Sequence, residues 1–169
     1  MCRRRKIEWR RPVQHTIRTL PADQGEILWV LGDRLRLLGE LPGTGLHVAH
    51  LSVPPGSGPP LHTHPSPELF HISSGELAFH TVEDGHSRTI IARTGDTIAV
   101  PPGTTHGFRN EAEAEAHALV WLDEHLLAFF REVGSPSPPA GPPTPSEIRR
   151  VVEIARQHGM TIVGPAAME

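Results

Sequence analysis

Four residues carry the most specific chemistry of this 169-residue chain: His62, His64, Glu68 and His106. Imidazole nitrogens and a carboxylate oxygen are donors that divalent transition metals accept. His62 and His64 are two residues apart, and residues at that spacing on a strand point to the same face. These residue types in this pattern predict a metal site that keeps positions open for water or a substrate.

The donor set favours Fe, Ni, Mn or Co over Zn, because structural zinc sites are closed tetrahedra that usually contain cysteine. The single cysteine, Cys2, lies at the N-terminal end. Glu68 is both a predicted ligand and the candidate catalytic residue, as a general base. The alternative is that composition alone scattered 12 histidines, some of which only satisfy hydrogen bonds in a core.

Short strands must position these four residues. The chain has 18 prolines and 16 glycines, which favour turns over long helices. Pro65-Ser66-Pro67 forces a turn between His64 and Glu68, and Pro101-Pro102-Gly103 forms a rigid corner before His106. Alternating segments bounded by turn residues predict an all-β sandwich or barrel. The predicted strands lie within residues 26–38, 46–53, 68–73, 76–82, 87–92, 97–100, 105–110 and 117–122.

The last quarter of the chain predicts helices instead. Asp123 can cap a helix that ends at Val133, and residues 135–145 form a proline-rich linker. Thr144 and Glu147 form a capping box for a second helix with one apolar face. We expect that helix to dock on its own barrel or on a partner. The predicted organisation is an arm (1–25), a barrel (26–122), a helix (123–134), the linker (135–145), and a helix with a tail (146–169).

The residues that frame the quartet match two motifs of a known superfamily. Gly56, His62, His64, Glu68 and Gly75 fit the pattern G(X)5HXH(X)3-4E(X)6G. A second set fits G(X)5PXG(X)2H(X)3N; its members are Gly95, Pro101, Gly103, His106 and Asn110. The chain therefore resembles the cupin superfamily, as a single-domain member. The resemblance implies a double-stranded β-helix, or jelly-roll barrel, with the metal inside.

Further segments are similar to bacterial cupins of the quercetin dioxygenase-like type. These segments are "GEILWVLGD", the stretch beginning "VPPGSGPPLHTH", and the C-terminal "PPTPSEIRRVVEIARQHGMTIVGP". The resemblance implies a dioxygenase-like oxidoreductase that acts on a small enol or phenolic, flavonol-like substrate with dioxygen. A non-oxidative isomerase, cyclase or decarboxylase, or a non-catalytic binding protein, are the alternatives, because one fold hosts many functions.

Aromatic side chains are the candidate walls of the substrate site. Phe108 is two residues beyond His106 and Phe70 is two beyond Glu68, so each should share the inward face. Phe79 and Trp121 are the other two candidates, and simple core filling is the alternative for all four.

Two polar residues beside the motifs have other expected roles. His71 is out of phase with Glu68, so we expect it to face outward. Asn110 is expected to fix the end of its strand through its amide group rather than to contact the substrate.

The charge and hydropathy of the chain limit the partners that we expect. The net charge is −3, and seven of the 16 basic residues lie in the first 18 positions. Such an arm can bind an acidic partner, but its one tryptophan, Trp9, is too little for stacking bases, so no nucleic acid is expected. No stretch approaches the roughly 20 apolar residues of a membrane span. We expect a cytoplasmic homodimer, with residues 13–20 as an exchanged strand.

Overall fold

A computed structural model of the chain describes residues 17–164. Most of the basic arm predicted over residues 1–25, including Trp9, lies outside the described residues. The proposed exchanged strand (13–20) also lies mainly outside them, and residues 17–20 contain no helix or strand.

The described residues form eleven strands and two helices in chain order. The first four strands are β1 (Ile27–Val30), β2 (Asp33–Leu41), β3 (Leu46–Val53) and β4 (Leu61–Thr63). The next four are β5 (Glu68–Ser74), β6 (Glu76–Glu83), β7 (His86–Arg93) and β8 (Thr97–Val100). The remaining elements are β9 (His106–Arg109), β10 (Ala116–Asp123), α1 (Glu124–Val133), α2 (Pro145–Gln157) and β11 (Thr161–Gly164).

The strands form two antiparallel sheets that enclose the core. One sheet has the order β1-β2-β3-β10-β5-β8, and the other has the order β11-β4-β9-β6-β7. Alternate residues of β10 point inward, as the burial of Ala116, Ala118, Val120 and Leu122 shows. The predicted fold class, an all-β jelly-roll barrel with C-terminal helices, is confirmed.

The two helices begin where the capping residues predict. Asp123 accepts a hydrogen bond from the backbone of Leu126, and α1 ends at Val133 before Gly134. The capping box of Thr144 and Glu147 is fully formed, with Pro145 in the first turn of α2. Each cap satisfies backbone N–H groups that have no partner inside the helix.

The second helix docks on its own barrel, through its C-terminal half. Ile154 and Ala155 are buried, Val151 packs partly against the core, and Ile148 is exposed. The apolar face predicted from Ile148 onward is therefore longer than the face that is buried. Sequence periodicity gives the face of a helix, but only the docking geometry decides how much of that face is covered.

The C-terminal segment contains one strand that the sequence pattern does not predict. Residues expected to form a tail form β11, which pairs with β4 so that Thr161 lies opposite Thr63 and Ile162 opposite His62. The segment is too short for its pattern to distinguish a strand from a loop. The chain thus returns to the strand that carries the first histidine of the predicted metal site.

Within residues 17–164, neither helix has the length and apolar character needed to cross a membrane.

Candidate metal centre and its cavity

The two sheets bring the four predicted metal-site residues together. His62 on β4 lies directly opposite His106 on β9, and His64 follows the end of β4. Glu68 is the first residue of β5, in the facing sheet. The ligand atoms of the three histidines all lie within 4.8 Å of one another. The carboxylate therefore approaches the histidines from across the barrel.

Two glycines permit the backbone packing that aligns β4 with β9. A Cβ atom on Gly58, where φ is +132°, would lie 2.1 Å from the carbonyl oxygen of Phe108. A Cβ atom on Gly107 would lie 2.8 Å from the carbonyl oxygen of Pro60. The loop before His62 and the strand after His106 are therefore in direct backbone contact, which side chains at these two positions would prevent.

Backbone carbonyls orient two of the imidazole rings. Nδ1 of His62 donates to the carbonyl of Pro60 at 2.8 Å, and Nδ1 of His106 donates to the carbonyl of Thr104 at 2.9 Å. Metal-binding histidines characteristically donate their second ring nitrogen in this way, which sets the tautomer and leaves Nε2 for the ion. Both rings are thus held in the orientation that a metal ligand needs.

The carboxylate of Glu68 connects the remaining atoms. Its Oε2 lies 3.0 Å from Nε2 of His64 and 3.1 Å from Nε2 of His106. Two ligand atoms that each lie about 2.1 Å from one ion, with a right angle between the two bonds, are about 3.0 Å apart. The spacing of these donors therefore fits adjacent positions around a single transition-metal ion, and the donor set of nitrogens and one oxygen suits such an ion.

The charges at the site follow from burial and from the same hydrogen bonds. Burial on its own would raise the pKa of Glu68, but hydrogen bonds from His106 and His64 outweigh it and lower the pKa to about 2. Burial likewise opposes a charge on His106, yet its hydrogen bond to Glu68 raises the pKa. Burial lowers the pKa of His62 to about 4, so that ring is neutral and able to act as a ligand.

His64 has one ring nitrogen without a partner. Nδ1 of this buried side chain makes no hydrogen bond to any described residue. An unpaired buried polar group costs about 1–3 kcal/mol. The same lack of a partner is found at His47, Ser66 and His80, so on its own it does not mark a functional site.

A largely apolar cavity of about 150 Å³ opens beside the four residues. Beyond the quartet, only Asp33 and Ser57 among its described lining residues carry a polar side chain. The barrel contributes side chains such as Leu35, Leu51 and Val120. Helix α1 contributes Leu126, Phe129 and Phe130, and the C-terminal segment contributes Val151, Ala155, Met160 and Ile162.

The four predicted aromatic wall residues separate into three groups. Phe70 and Phe108 line the cavity. Phe79 is buried behind them, with its ring centroid 5.2 Å from that of Phe70 and 5.5 Å from that of Phe108. Trp121 is not brought to the cavity, because it lies between the inward positions Val120 and Leu122 of β10 and is only partly buried. Apolar inward positions alternate with outward positions in "HALVWLD", and this alternation predicts that the side chain of Trp121 points outward.

The two polar residues beside the motifs take the places expected of them. Asn110 is fully buried, its amide nitrogen donates to the carbonyls of Val53 and Ala114, and its Oδ1 accepts from Ala112. It therefore braces the end of β9. His71 lies on the outer side of β5 and contacts the hydroxyl of Thr97 at 3.1 Å.

Sequence reasoning missed the other polar residues of the cavity wall. Asp33 accepts a hydrogen bond from the hydroxyl of Ser57 at 2.5 Å, and both line the cavity. The two residues are 24 positions apart, so no local pattern joins them. Met160 and Ile162 were missed because their place depends on how the C-terminal segment folds back.

Comparison with known families supports this architecture. Residues 49–122 match the family model described as "Cupin domain". Germin-like protein 8-14 of Oryza sativa subsp. japonica is 34% identical over 90 residues, which are 49% of this chain and 42% of the rice protein. Germin-like protein 3-7 of the same plant is 30% identical over 84 residues, or 48% and 36% of the two chains. The chain thus spans less than half the length of these relatives.

Solved structures give matches of lower identity. A recombinant oxalate oxidase in complex with glycolate is 22% identical, with a TM-score of 0.47, over 72% of this chain and 58% of that chain. Oxalate decarboxylase from Bacillus subtilis at pH 4.6 is 23% identical, with a TM-score of 0.48, over 58% and 27%. Peruvianin-I, a cysteine peptidase from Thevetia peruviana latex, is 18% identical, with a TM-score of 0.49, over 80% and 69%. These values carry no inference about activity.

Proposed function

We propose that this protein, whose residues 49–122 match the cupin domain, is a metal-dependent, dioxygenase-like oxidoreductase that acts on a small enol or phenolic substrate. The observation that carries the proposal is the meeting of His62, His64, His106 and Glu68 at one side of an apolar cavity. The three histidines and the glutamate would hold one Fe, Ni, Mn or Co ion.

The bound ion would supply Lewis acidity, lowering the pKa of a substrate hydroxyl group. The residues of the chain provide the rest. The carbonyls of Pro60 and Thr104 keep two imidazole rings oriented. Phe70 and Phe108 present apolar faces beside them, which exclude water from the reacting end of a substrate.

Glu68 is the proposed proton acceptor. Hydrogen bonds from His106 and His64 lower its pKa without a metal ion, and a bound cation would likewise favour the carboxylate form. It is therefore a weak base, and it can take the hydroxyl proton only from a group that is already acidic, such as an enol or phenol in contact with a cation. Both atoms of dioxygen would end in the product, so the reaction needs no other reductant.

The size of the cavity favours the small end of the predicted substrate range. An apolar cavity of about 150 Å³ holds roughly one benzene-sized molecule. A three-ring flavonol exceeds that volume unless the C-terminal segment moves. We therefore favour single-ring phenols, catechols and short diketones as substrates.

The test is to purify the protein without a chelating resin and to determine its metal content by mass spectrometry. Protein loaded separately with Fe, Ni, Mn or Co is then assayed with an oxygen electrode against catechols, diketones and flavonols. Oxygen uptake that requires both metal and substrate supports the proposal. The absence of uptake with every combination rejects the oxidative reaction.

The same residues suit a second reaction class, because the Glu68 carboxylate is within hydrogen-bond reach of the ligand atoms and could move a proton without any redox step. Product formation under strict anaerobiosis would identify an isomerase, cyclase or decarboxylase. Tight ligand binding without any product would identify a binding protein.

The predicted homodimer and cytoplasmic location remain predictions. Sedimentation velocity at micromolar concentration tests the first, and a monomer there would contradict it. Cell fractionation with an antibody against the protein tests the second.

A further inference from the structure

The polar lining of the cavity is divided between two sites. Four of the polar side chains belong to the metal centre, and Asp33 and Ser57 are the other two among the described lining residues. Apolar binding sites commonly orient their ligands through a few polar groups placed in an otherwise apolar wall. A carboxyl group in such a wall lowers the stability of the folded protein, because burial of a charge or of an unpaired polar group opposes folding.

The backbone holds Asp33 in place through an unusual turn. Asp33 begins β2 and pairs with Val30 across the hairpin that joins β1 to β2. Leu31, inside that turn, has a positive φ of 57° although it is not glycine, and it also lines the cavity. Backbone strain of this kind clusters at binding and catalytic sites. The hairpin thus accepts an unfavourable conformation beside the one carboxyl group in this part of the wall.

The carboxyl group of Asp33 also has unused capacity. Among residues 17–164, the one hydrogen bond to this group comes from the hydroxyl of Ser57 and reaches Oδ1. Oδ2 is left for a ligand. Burial raises the pKa of Asp33 to about 7, although the Ser57 hydrogen bond acts against it. Near neutral pH the group can therefore accept a hydrogen bond or, when protonated, donate one.

We propose that Asp33 is a specificity residue that binds a second polar group of the substrate, while the metal centre binds the first. The substrate is then a molecule of about one aromatic ring with two polar groups: a hydroxyl for the metal centre and a hydrogen-bonding group for Asp33. This inference rests on the proposed function for the role of the first hydroxyl, but its test needs binding only and no turnover.

The experiment measures binding to protein loaded with Zn(II), which cannot change its redox state. Phenol, resorcinol and hydroquinone are titrated by calorimetry, because they share one ring and differ in the presence and position of a second hydroxyl. In the wild type, at least one dihydroxybenzene is expected to bind about tenfold more tightly than phenol, the usual effect of one hydrogen bond to a buried carboxyl group. No preference, or no binding of any probe, overturns the proposal.

Variants separate binding by Asp33 from a purely structural role. Asp33→Leu and Asp33→Ala are expected to reduce the preference to within about twofold while the affinity for phenol changes less than threefold. Asp23→Ala replaces an exposed aspartate that does not line the cavity, so it should retain the preference. Melting curves establish which variants are folded. A folded Asp33 variant that keeps the preference, or an Asp23→Ala variant that loses it, overturns the proposal.

The outcome is distinguishable from failure of the proposed function. If no metal-loaded form consumes oxygen but the calorimetric preference depends on Asp33, the proposed oxidative reaction is wrong and the proposed role of Asp33 stands. If oxygen uptake is found but no dihydroxybenzene binds more tightly than phenol, the proposed role of Asp33 is wrong and the proposed reaction stands.

Discussion

The two sides of the cavity are built in different ways. The histidine side places its donors within a few residues of glycine and proline turns, and backbone carbonyls orient its rings. The closing wall, which we define as the β1–β2 hairpin (27–41) with α1, α2 and β11, assembles distant and mostly apolar segments. The first side is encoded in local motifs that specify chemistry, whereas the second depends on packing and sets size and polarity. We therefore expect substitutions on the two sides to affect different measurements.

The largest expected effect is the loss of metal from the histidine side. His62→Ala or His106→Ala removes a ligand atom, so metal affinity should fall by more than the roughly 10- to 100-fold that loss of an outer hydrogen-bond partner costs. Metal content per chain, measured by mass spectrometry after dialysis, checks this. His71→Ala is the matched control, because His71 contacts Thr97 outside the cavity and should leave metal content unchanged. Full metal retention in His62→Ala would show that this side is not a metal centre.

Asp33 gives the closing wall a dependence on pH whose sign is opposite to that of His62 on the histidine side, where a pKa lowered to about 4 makes stability rise over much of the same range. The pKa of Asp33 is raised from 3.8 to about 7 by burial. Between these values the unfolded chain loses the proton and the folded chain keeps it, so stability falls as pH rises. About three pH units at 1.36 kcal/mol each give roughly 4 kcal/mol.

The free energy of unfolding of Asp33→Asn, relative to that of the wild type, should therefore increase as the pH rises from 4 to 7, and above pH 7 the variant should be the more stable protein. Urea denaturation across that range measures the effect. Asp23→Asn, at an exposed aspartate, is the control and should keep the wild-type slope. An unchanged slope in Asp33→Asn would mean that Asp33 is ionised in the folded protein at acidic pH.

Docking of α2 is tested by two isoleucines of the same helix. Ile154 is 8% exposed and Ile148 is 42% exposed. Ile154→Ala should lower the free energy of unfolding of the C-terminal segment by about 2–5 kcal/mol, whereas Ile148→Ala should change it by about 0.5 kcal/mol or less. Hydrogen exchange of α2 and β11 resolves this segment from the barrel. Metal content should be the same in both variants, and a loss of metal in Ile154→Ala would show that the two sides are coupled.

The smallest expected effect concerns the start of α2. Thr144→Ala removes the side chain that caps the backbone N–H of Glu147, and alanine offers no replacement acceptor, so the helix should lose about 1 kcal/mol. Faster hydrogen exchange in the first turn of α2 is the readout, with Ser137→Ala in the exposed linker as the control. Equal exchange rates in the two variants would contradict a role for the capping box.

Prediction from the sequence succeeds where the signal is local. The strands Leu46–Val53 and Thr97–Val100 and the cap at Asp123 follow from alternation and capping chemistry within a few residues. The prediction that Trp121 lines the cavity rests on its aromatic ring, and it fails because the phase of Trp121 within β10 points outward. β11 and the pairing of Asp33 with Ser57 join positions far apart in the chain, and no local rule indicates which distant segments will meet.

The sequence alone determined the set of candidate metal ligands, because the residue types and spacings of His62, His64, Glu68 and His106 have few other uses when glycines and prolines frame them. The tertiary structure alone decided which space lies next to that chemistry. The cavity of about 150 Å³, the carboxyl group of Asp33 and the closure by α2 and β11 depend on contacts between distant segments. Such contacts depend on the free energy of packing the whole chain. Local sequence patterns carry no information about that free energy.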